Sequence, residues 1–350
     1  MPKKISEYSA NVILAKARAM YGRALTPADY SRLLNVRSVS EIAAYLKHET
    51  HYAEVLADIN ESTVHRGHLE ALLRRKLWID YGRLVRYDNA VGMHLSSYII
   101  QREEIGMILL CLRLMNAGRG QELVLSAPPQ FTALSKLNPV IMGQAENFEE
   151  LLEAAAGTGY HKLLRPLAMT DRAPTVTQVE TVLYTHLFGK LNTLIAGTSG
   201  EQRRQLQSLC GIQQDIQNVT RILRLKSYFQ ADAETIRSNL IPAGGRISKK
   251  AMAAMIGAPT AEEAREIFFS TAAGRRIPQS LRQYEFNLVR QAPYFGARYH
   301  IHFSTWPMVV LMAYMLLLEN ELDDIVNIIE GVRYRLPGEE IRTMLVAGAK

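Results

Sequence analysis

Histidine pairs at helical spacing are the first candidates for chemistry in this chain. His48-x-x-His51 and His65-x-x-His68 each set two imidazoles on one helical face, an arrangement a metal site could use, and His300-x-His302 adds two more in close succession. None of the three has a Cys, Asp or Glu placed as the third ligand of a known motif, so no metal-binding residue is assigned. Gly244-Gly245-Arg246 followed by Ser248-Lys249 has the composition of a phosphate loop. Such a loop needs G-x-x-x-x-G-K-[ST] for its backbone amides to wrap the phosphates, and that string is missing. A nucleophile elbow, a dinucleotide fingerprint and H-E-x-x-H are missing too. Glu103/Glu104 and Asp323/Asp324 are adjacent in sequence, so on a helix they point to different faces and neither makes an acid/base pair. The residue types therefore point to no catalytic group, no cofactor and no metal, and they favour a structural or coupling role.

The basic residues are the remaining candidates. The chain has 41 basic and 34 acidic residues, a net charge of +7 and 48% apolar content, enough for a substantial core. Its charges are interspersed, without a Lys/Arg block or an aromatic-basic signature, so a nucleic-acid partner is not expected. The segment 64–85 carries Arg74, Arg75, Lys76 and Arg83, with Arg86 just beyond it. This reads either as a solvated face or as a docking surface for an acidic partner or lipid headgroups. Arg221, Arg224, Lys226 and Arg246 form the second such group. Together, Arg74, Arg75, Arg83, Arg86, Arg221, Arg224, Lys226 and Arg246 are the expected partner-binding residues. The two cysteines, Cys111 and Cys210, are far apart and sit in helical patterns, which reads as reduced, buried thiols of a cytoplasmic protein. Met1-Pro2-Lys3-Lys4 leads into Ile5-Ser6-Glu7 rather than an apolar stretch, so no secretory leader is expected. The longest apolar run, Trp306 to Leu318, falls well short of the ~20 residues that span a bilayer and reads as a buried core helix. The 13 methionines stand mostly at core spacing.

The elements that must carry these residues are helices, and they recur. In the stretch from Asp215 to Tyr228, apolar Ile216, Val219, Ile222, Leu223 and Leu225 fall at three-and-four spacing, with Asp215, Arg221 and Arg224 facing outward or toward a partner. An acid followed by apolar residues at +1, +4, +7 and +8 occurs also from Glu104 and from Glu321. Capping boxes recur beside it: Ser38-Val39-Ser40-Glu41, Asn147-Phe148-Glu149-Glu150 and Thr260-Ala261-Glu262-Glu263 precede the three acids by 66, 68 and 61 residues. Singly, caps and amphipathic stripes are common and free to slide; two markers keeping one register three times indicate triplication. A third marker pairs the run from Ala233 to Ile241 with that from Gly338 to Val346. Almost no stretch alternates as a half-buried strand would. The expected fold is all-α, with helical repeat units at 1–120, 121–246 and 247–350. Gly118 to Pro129 is expected to be the linker after the first unit, and residues 88–117 one long helix or two joined near Gln101.

Asp215 to Tyr228, continuing to Ile241-Pro242-Ala243-Gly244-Gly245-Arg246-Ile247-Ser248, resembles the C subunit of the prokaryotic V-type (V/A-type) rotary ATPase, counterpart of the eukaryotic d subunit. Further matches are Tyr8 with Arg18-Ala19-Met20, Ser38 to Tyr52, and Tyr314 with Glu319, Glu321 and Gly331. The chain departs from the family pattern at Lys16, Leu318, Asp324 and Val326, where charged or amide side chains of other kinds are usual. The resemblance implies a funnel of three similar helical domains. It further implies a place on the cytoplasmic face of the membrane proteolipid ring, where the funnel receives the foot of the central shaft made of the D and F subunits. The role implied is mechanical, transmitting torque between ATP turnover and ion movement, with no membrane span of the chain's own. The alternative reading of the same residues is a helical-repeat adaptor that binds protein or nucleic acid without a rotary role.

Overall fold

In the computed structural model the described residues are 2–91, 95–126, 131, 134–170, 172–242, 245–282 and 288–348. Among them every regular element is a helix and none is a strand, so the chain is all-α. It sorts into two compact units: residues 1–93, 199–229 and 245–350 in one, and 94–198 with 230–244 in the other.

The larger unit is built on the helix Pro307–Arg333, which packs against Pro2–Tyr21, Arg66–Val91, Gly200–Phe229 and Leu288–Phe303. Every residue from Pro307 to Leu318 is buried, as expected of a helix apolar on all sides and surrounded by others. The expected core methionines are there: Met308, Met312 and Met315 in this helix, and Met255 in Lys249–Gly257, have almost no exposed surface. This core also holds charge. Lys76 Nζ lies 2.7 Å from both carboxylate oxygens of Asp80, and the Tyr314 hydroxyl donates to Asp80 over 2.6 Å. Lys76 therefore does not belong to a basic outer face, since the helix turns it inward beside its counter-ion.

In the smaller unit Val176–Ala196 packs along Leu95–Asn116, and Phe148–Ala154 against Gly159–Ala168. Cys111 donates to the Met142 carbonyl at 3.2 Å, and both cysteines are buried free thiols. Burial pushes the Cys111 thiol up to about 11 and that of Cys210 up to about 12, which keeps both protonated and unreactive.

Local signals mostly hold. Thr26 caps Pro27–Leu34 in a reciprocal box with Asp29. Ser38, Asn147 and Thr260 each accept from the backbone N–H three residues on, but none of the three boxes is reciprocal as expected. Glu41 and Glu150 instead accept from the N–H of Arg37 and Glu146, one residue before the cap. The region read as a linker from Gly118 contains a 3₁₀ turn, Gly120–Glu122, and a helical turn, Leu123–Ser126; its remainder to Pro129 lies outside the described residues. Of the stretch 88–117, helix is described to Val91 and again over Leu95–Asn116, residues 92–94 lying outside the described residues; Gln101 lies inside Leu95–Asn116 rather than at a joint.

Gly106 sits exposed in the middle of that helix, and a Cβ there would meet nothing within 4 Å. Gly106→Ala is expected to raise stability by about 0.5–1 kcal/mol through backbone entropy, read as a higher midpoint in denaturant unfolding.

Candidate functional site

Each of the three repeated acids is buried, and a buried carboxylate must find hydrogen-bond donors. Glu104, Asp215 and Glu321 are 7%, 3% and 4% exposed, so the expectation that Asp215 faces outward is corrected. The periodicity placed it at the edge of the apolar stripe, and the loop that follows the helix covers it.

The donors come from a matching place each time. Asp215 Oδ2 accepts from the backbone N–H of Arg246 at 2.6 Å and of Ile247 at 2.9 Å, just before Ser248 caps Lys249–Gly257. Glu321 Oε2 accepts from the Leu25 N–H at 2.7 Å, just before Thr26 caps Pro27–Leu34. Glu104 Oε1 accepts from the Ser135 hydroxyl at 2.7 Å, three residues before Asn138 caps Pro139–Met142. Two acids gain a tyrosine as well: the Tyr52 hydroxyl donates to Glu321 Oε1 at 2.8 Å, and the Tyr160 hydroxyl to Glu104 Oε2 at 2.8 Å. His51 Nε2 lies 2.7 Å from the same Oε1 of Glu321. Burial, and then the neighbouring carboxylate, pushes both phenols far above the ordinary tyrosine value, so they remain donors. For Asp215, burial raises the carboxyl above its usual range although the two backbone N–H groups and the Arg246 charge oppose it.

Sequence reasoning found the acids but missed Ser135, Leu25 and Tyr160, and it took His51 only as half of a histidine pair and Tyr52 only as part of the resemblance over Ser38 to Tyr52. The two tyrosines stand 14 and 13 residues after Ser38 and Asn147, a register that could have revealed them.

Another acid of the Glu321 helix anchors the C-terminal segment. Asp324 accepts from the N–H groups of Val346, Ala347 and Gly348 and from the Arg290 guanidinium. A Cβ at Gly348 would lie 2.4 Å from the Tyr30 ring, so the segment passes this point only as glycine.

The expected partner-binding residues take different places. Arg75, Arg86, Arg224 and Arg246 are exposed, with the Arg86 guanidinium 5.0 Å from the Tyr87 ring centre. Arg74 is paired with Glu70 at 3.3 Å and Asp323 at 3.8 Å. Arg83 binds Asp80 at 3.1 Å and also Glu54. Lys226 donates to the carbonyls of Ile256 and Ala258 at 2.8 and 2.5 Å, and Arg221 is buried rather than outward-facing. Of the histidines, His48 pairs with Glu61, while His65, His68 and His302 are exposed. No group of three or more His, Cys, Asp or Glu suited to a metal ion occurs among the described residues. Gly244 of the glycine pair lies outside the described residues.

These joints and the helices they connect define an all-helical protein whose buried acids bind one chain segment to another. The family model described as ATP synthase (C/AC39) subunit matches residues 13–344, and the chain belongs to that family of ATP synthase subunits. It is 22% identical over 340 residues to the A-type ATP synthase C subunit of Methanococcoides burtonii, covering 95% of this chain and 93% of that one. It is 24% identical over 346 residues to that of Methanosarcina mazei, covering 95% and 91%. With the A-type C subunit of a Desulfurococcus species it shares 26% over 238 residues, covering 66% and 60%. No described helix is long and apolar enough to cross a membrane.

Two outcomes follow from the geometry. A Cβ at Gly245 would lie 1.7 Å from Oδ1 of Asp215, so Gly245→Ala must push the loop off the acid; denaturant unfolding is expected to register a loss of about 1–3 kcal/mol. His300 is buried, its Nδ1 has no hydrogen-bond partner, and burial, then the Arg276 charge, holds its value below the ordinary 6.5. Below about pH 6.5 the unfolded chain takes a proton that the fold refuses. This contribution to stability is therefore complete above that pH and declines as the pH falls toward the folded value. Midpoints measured between pH 7.5 and 5 should show that decline in the natural protein and a shallower one in His300→Gln.

Proposed function

We propose that this chain is the non-catalytic central-stalk socket of a V-type (A-type) rotary ATP synthase. In this reading it stands on the cytoplasmic face of the membrane proteolipid ring and receives the foot of the shaft made of the D and F subunits. It turns with both, transmitting torque for coupled ion transport. Membership of the ATP synthase subunit family supports the setting. The observation that carries the socket reading is the succession of joints. The acid of repeat 1–120, Glu104, binds Ser135 and Tyr160 of repeat 121–246. The acid of that repeat, Asp215, binds the N–H of Arg246, its own last residue, and of Ile247, where repeat 247–350 begins. The acid of the last, Glu321, returns to Leu25 and Tyr52 of the first. This succession of joints between the expected repeats supports the socket reading.

The role asks for shape held under load rather than for a reactive group, and the acids identified above are spent on holding segments together. The exposed Arg75, Arg86, Arg224 and Arg246, with Arg74 and Arg83 beside their carboxylates, are assigned as contact surfaces for shaft and ring; Arg221 and Lys226 support the second surface from within. Charged contacts of this kind form quickly and weaken with salt, which suits an interface that assembles and releases.

Affinity purification of the tagged chain from detergent-solubilised native membranes tests the role. The proteolipid ring and the two shaft proteins are expected to co-purify at low salt, less so with Arg75, Arg86, Arg224 and Arg246 replaced by Ser. Recovery of the folded chain without either partner would overturn the proposal.

A further inference from the structure

The three joints differ in how the chain ties their two sides together. Glu104 and Ser135 are separated by 31 residues, and Asp215 and Ile247 by 32, so a short covalent loop returns each donor to its acid. Leu25 and Glu321 are 296 residues apart. In the Asp215 joint the chain runs on from the segment after Ala233–Ser238 into Ile247 and Ser248. In the Glu321 joint the segment after Gly338–Thr343 lies against Asp324, and the backbone donor is Leu25, 296 residues before the acid. Ala347 and Leu25 line one cavity of about 50 Å³ together with His51 and Glu321. Among the described residues the Glu321 joint also has the most donors: a backbone N–H, a phenol and an imidazole, against two N–H groups for Asp215 and two hydroxyls for Glu104.

We infer that Glu321, held by Leu25, His51 and Tyr52, is the clasp that closes the larger unit, and that local opening of this unit begins there, releasing the N-terminal helices between Pro27 and Leu56 together. Those helices are tied to Pro307–Arg333 through this carboxylate, and to the segment from Gly338 through the packing of Pro27–Leu34 against Gly338–Thr343 and the close passage of Gly338 and Gly348 by Leu34 and Tyr30. These ties add to the shorter-range packing of Ala53–Leu56 on Arg66–Val91, and loss of the carboxylate removes the hydrogen bonds that fix Leu25, His51 and Tyr52 in place. The inference concerns the isolated chain and does not depend on the rotary role.

Native-state hydrogen exchange of the full-length purified protein, read by mass spectrometry on peptides, provides the test. Glu321→Ala is expected to speed exchange of the amides between 27 and 56 at least tenfold while those between 200 and 270 keep their rates. Asp215→Ala should do the reverse, speeding 249–270 and sparing 27–56. Tyr52→Phe removes one donor and leaves the carboxylate paired with Leu25 and His51; it should give the same pattern with a smaller factor, and it serves as the readout if Glu321→Ala does not fold. Unchanged exchange over 27–56 in both variants at Glu321 and Tyr52, or one uniform increase across the larger unit, would overturn the clasp.

Discussion

A carboxylate taken out of water must be met by donors or it destabilises the fold by several kcal/mol, and this chain meets that demand three times by the same means. Glu104, Asp215 and Glu321 each start an amphipathic turn whose apolar residues are buried, which carries the acid inward with them. Each is satisfied by the segment just ahead of a capped short helix. The donors are backbone N–H groups, hydroxyls and one imidazole rather than Arg or Lys. Neutral donors of fixed geometry set the place of a chain segment more closely than a long flexible cation would. The acids thus determine where the next helices begin, and the core packs to that placement.

Two other sets of buried charges follow a different pattern. Lys76, Asp80 and Tyr314 form a compact, fully bonded cluster beneath Arg83, and Asp324 gathers three consecutive backbone N–H groups and Arg290. Replacing one partner in such a cluster leaves the others desolvated, so it specifies which surfaces of the helices meet even where a set of apolar residues would be more stabilising. Pairs such as Arg119 with Glu122, or Arg204 with Glu201, are open to solvent and contribute little to this arrangement.

This distribution of polar groups matches the proposed mechanical role. A protein that passes torque from a shaft to a membrane ring has no use for a strained or reactive centre; it needs segments that stay where they are placed. In that proposal the contacts with partners fall to surface arginines, and Arg75 and Arg224 are exposed.

The helices were legible from the chain because caps and apolar spacing are local: Ser38, Asn147 and Thr260 cap helices through their own neighbours. The register of Ser38, Asn147 and Thr260 against the three acids was legible too, and with it the recurrence of one structural theme. The direction in which a side chain at the edge of an apolar stripe turns was not legible, since it depends on what covers that edge. Asp215 and Arg221 read as outward-facing and are buried, and Lys76 read as part of a basic face and binds Asp80. Nor could spacing along the chain reveal that Glu321 closes on Leu25, His51 and Tyr52. Sequence by itself determined which helices form and which acids recur, because those follow from residues within a few turns of one another. Tertiary structure alone decided which donors each acid receives, because a buried carboxylate takes its partners from whatever segment the packed core brings within 3 Å, however far away along the chain.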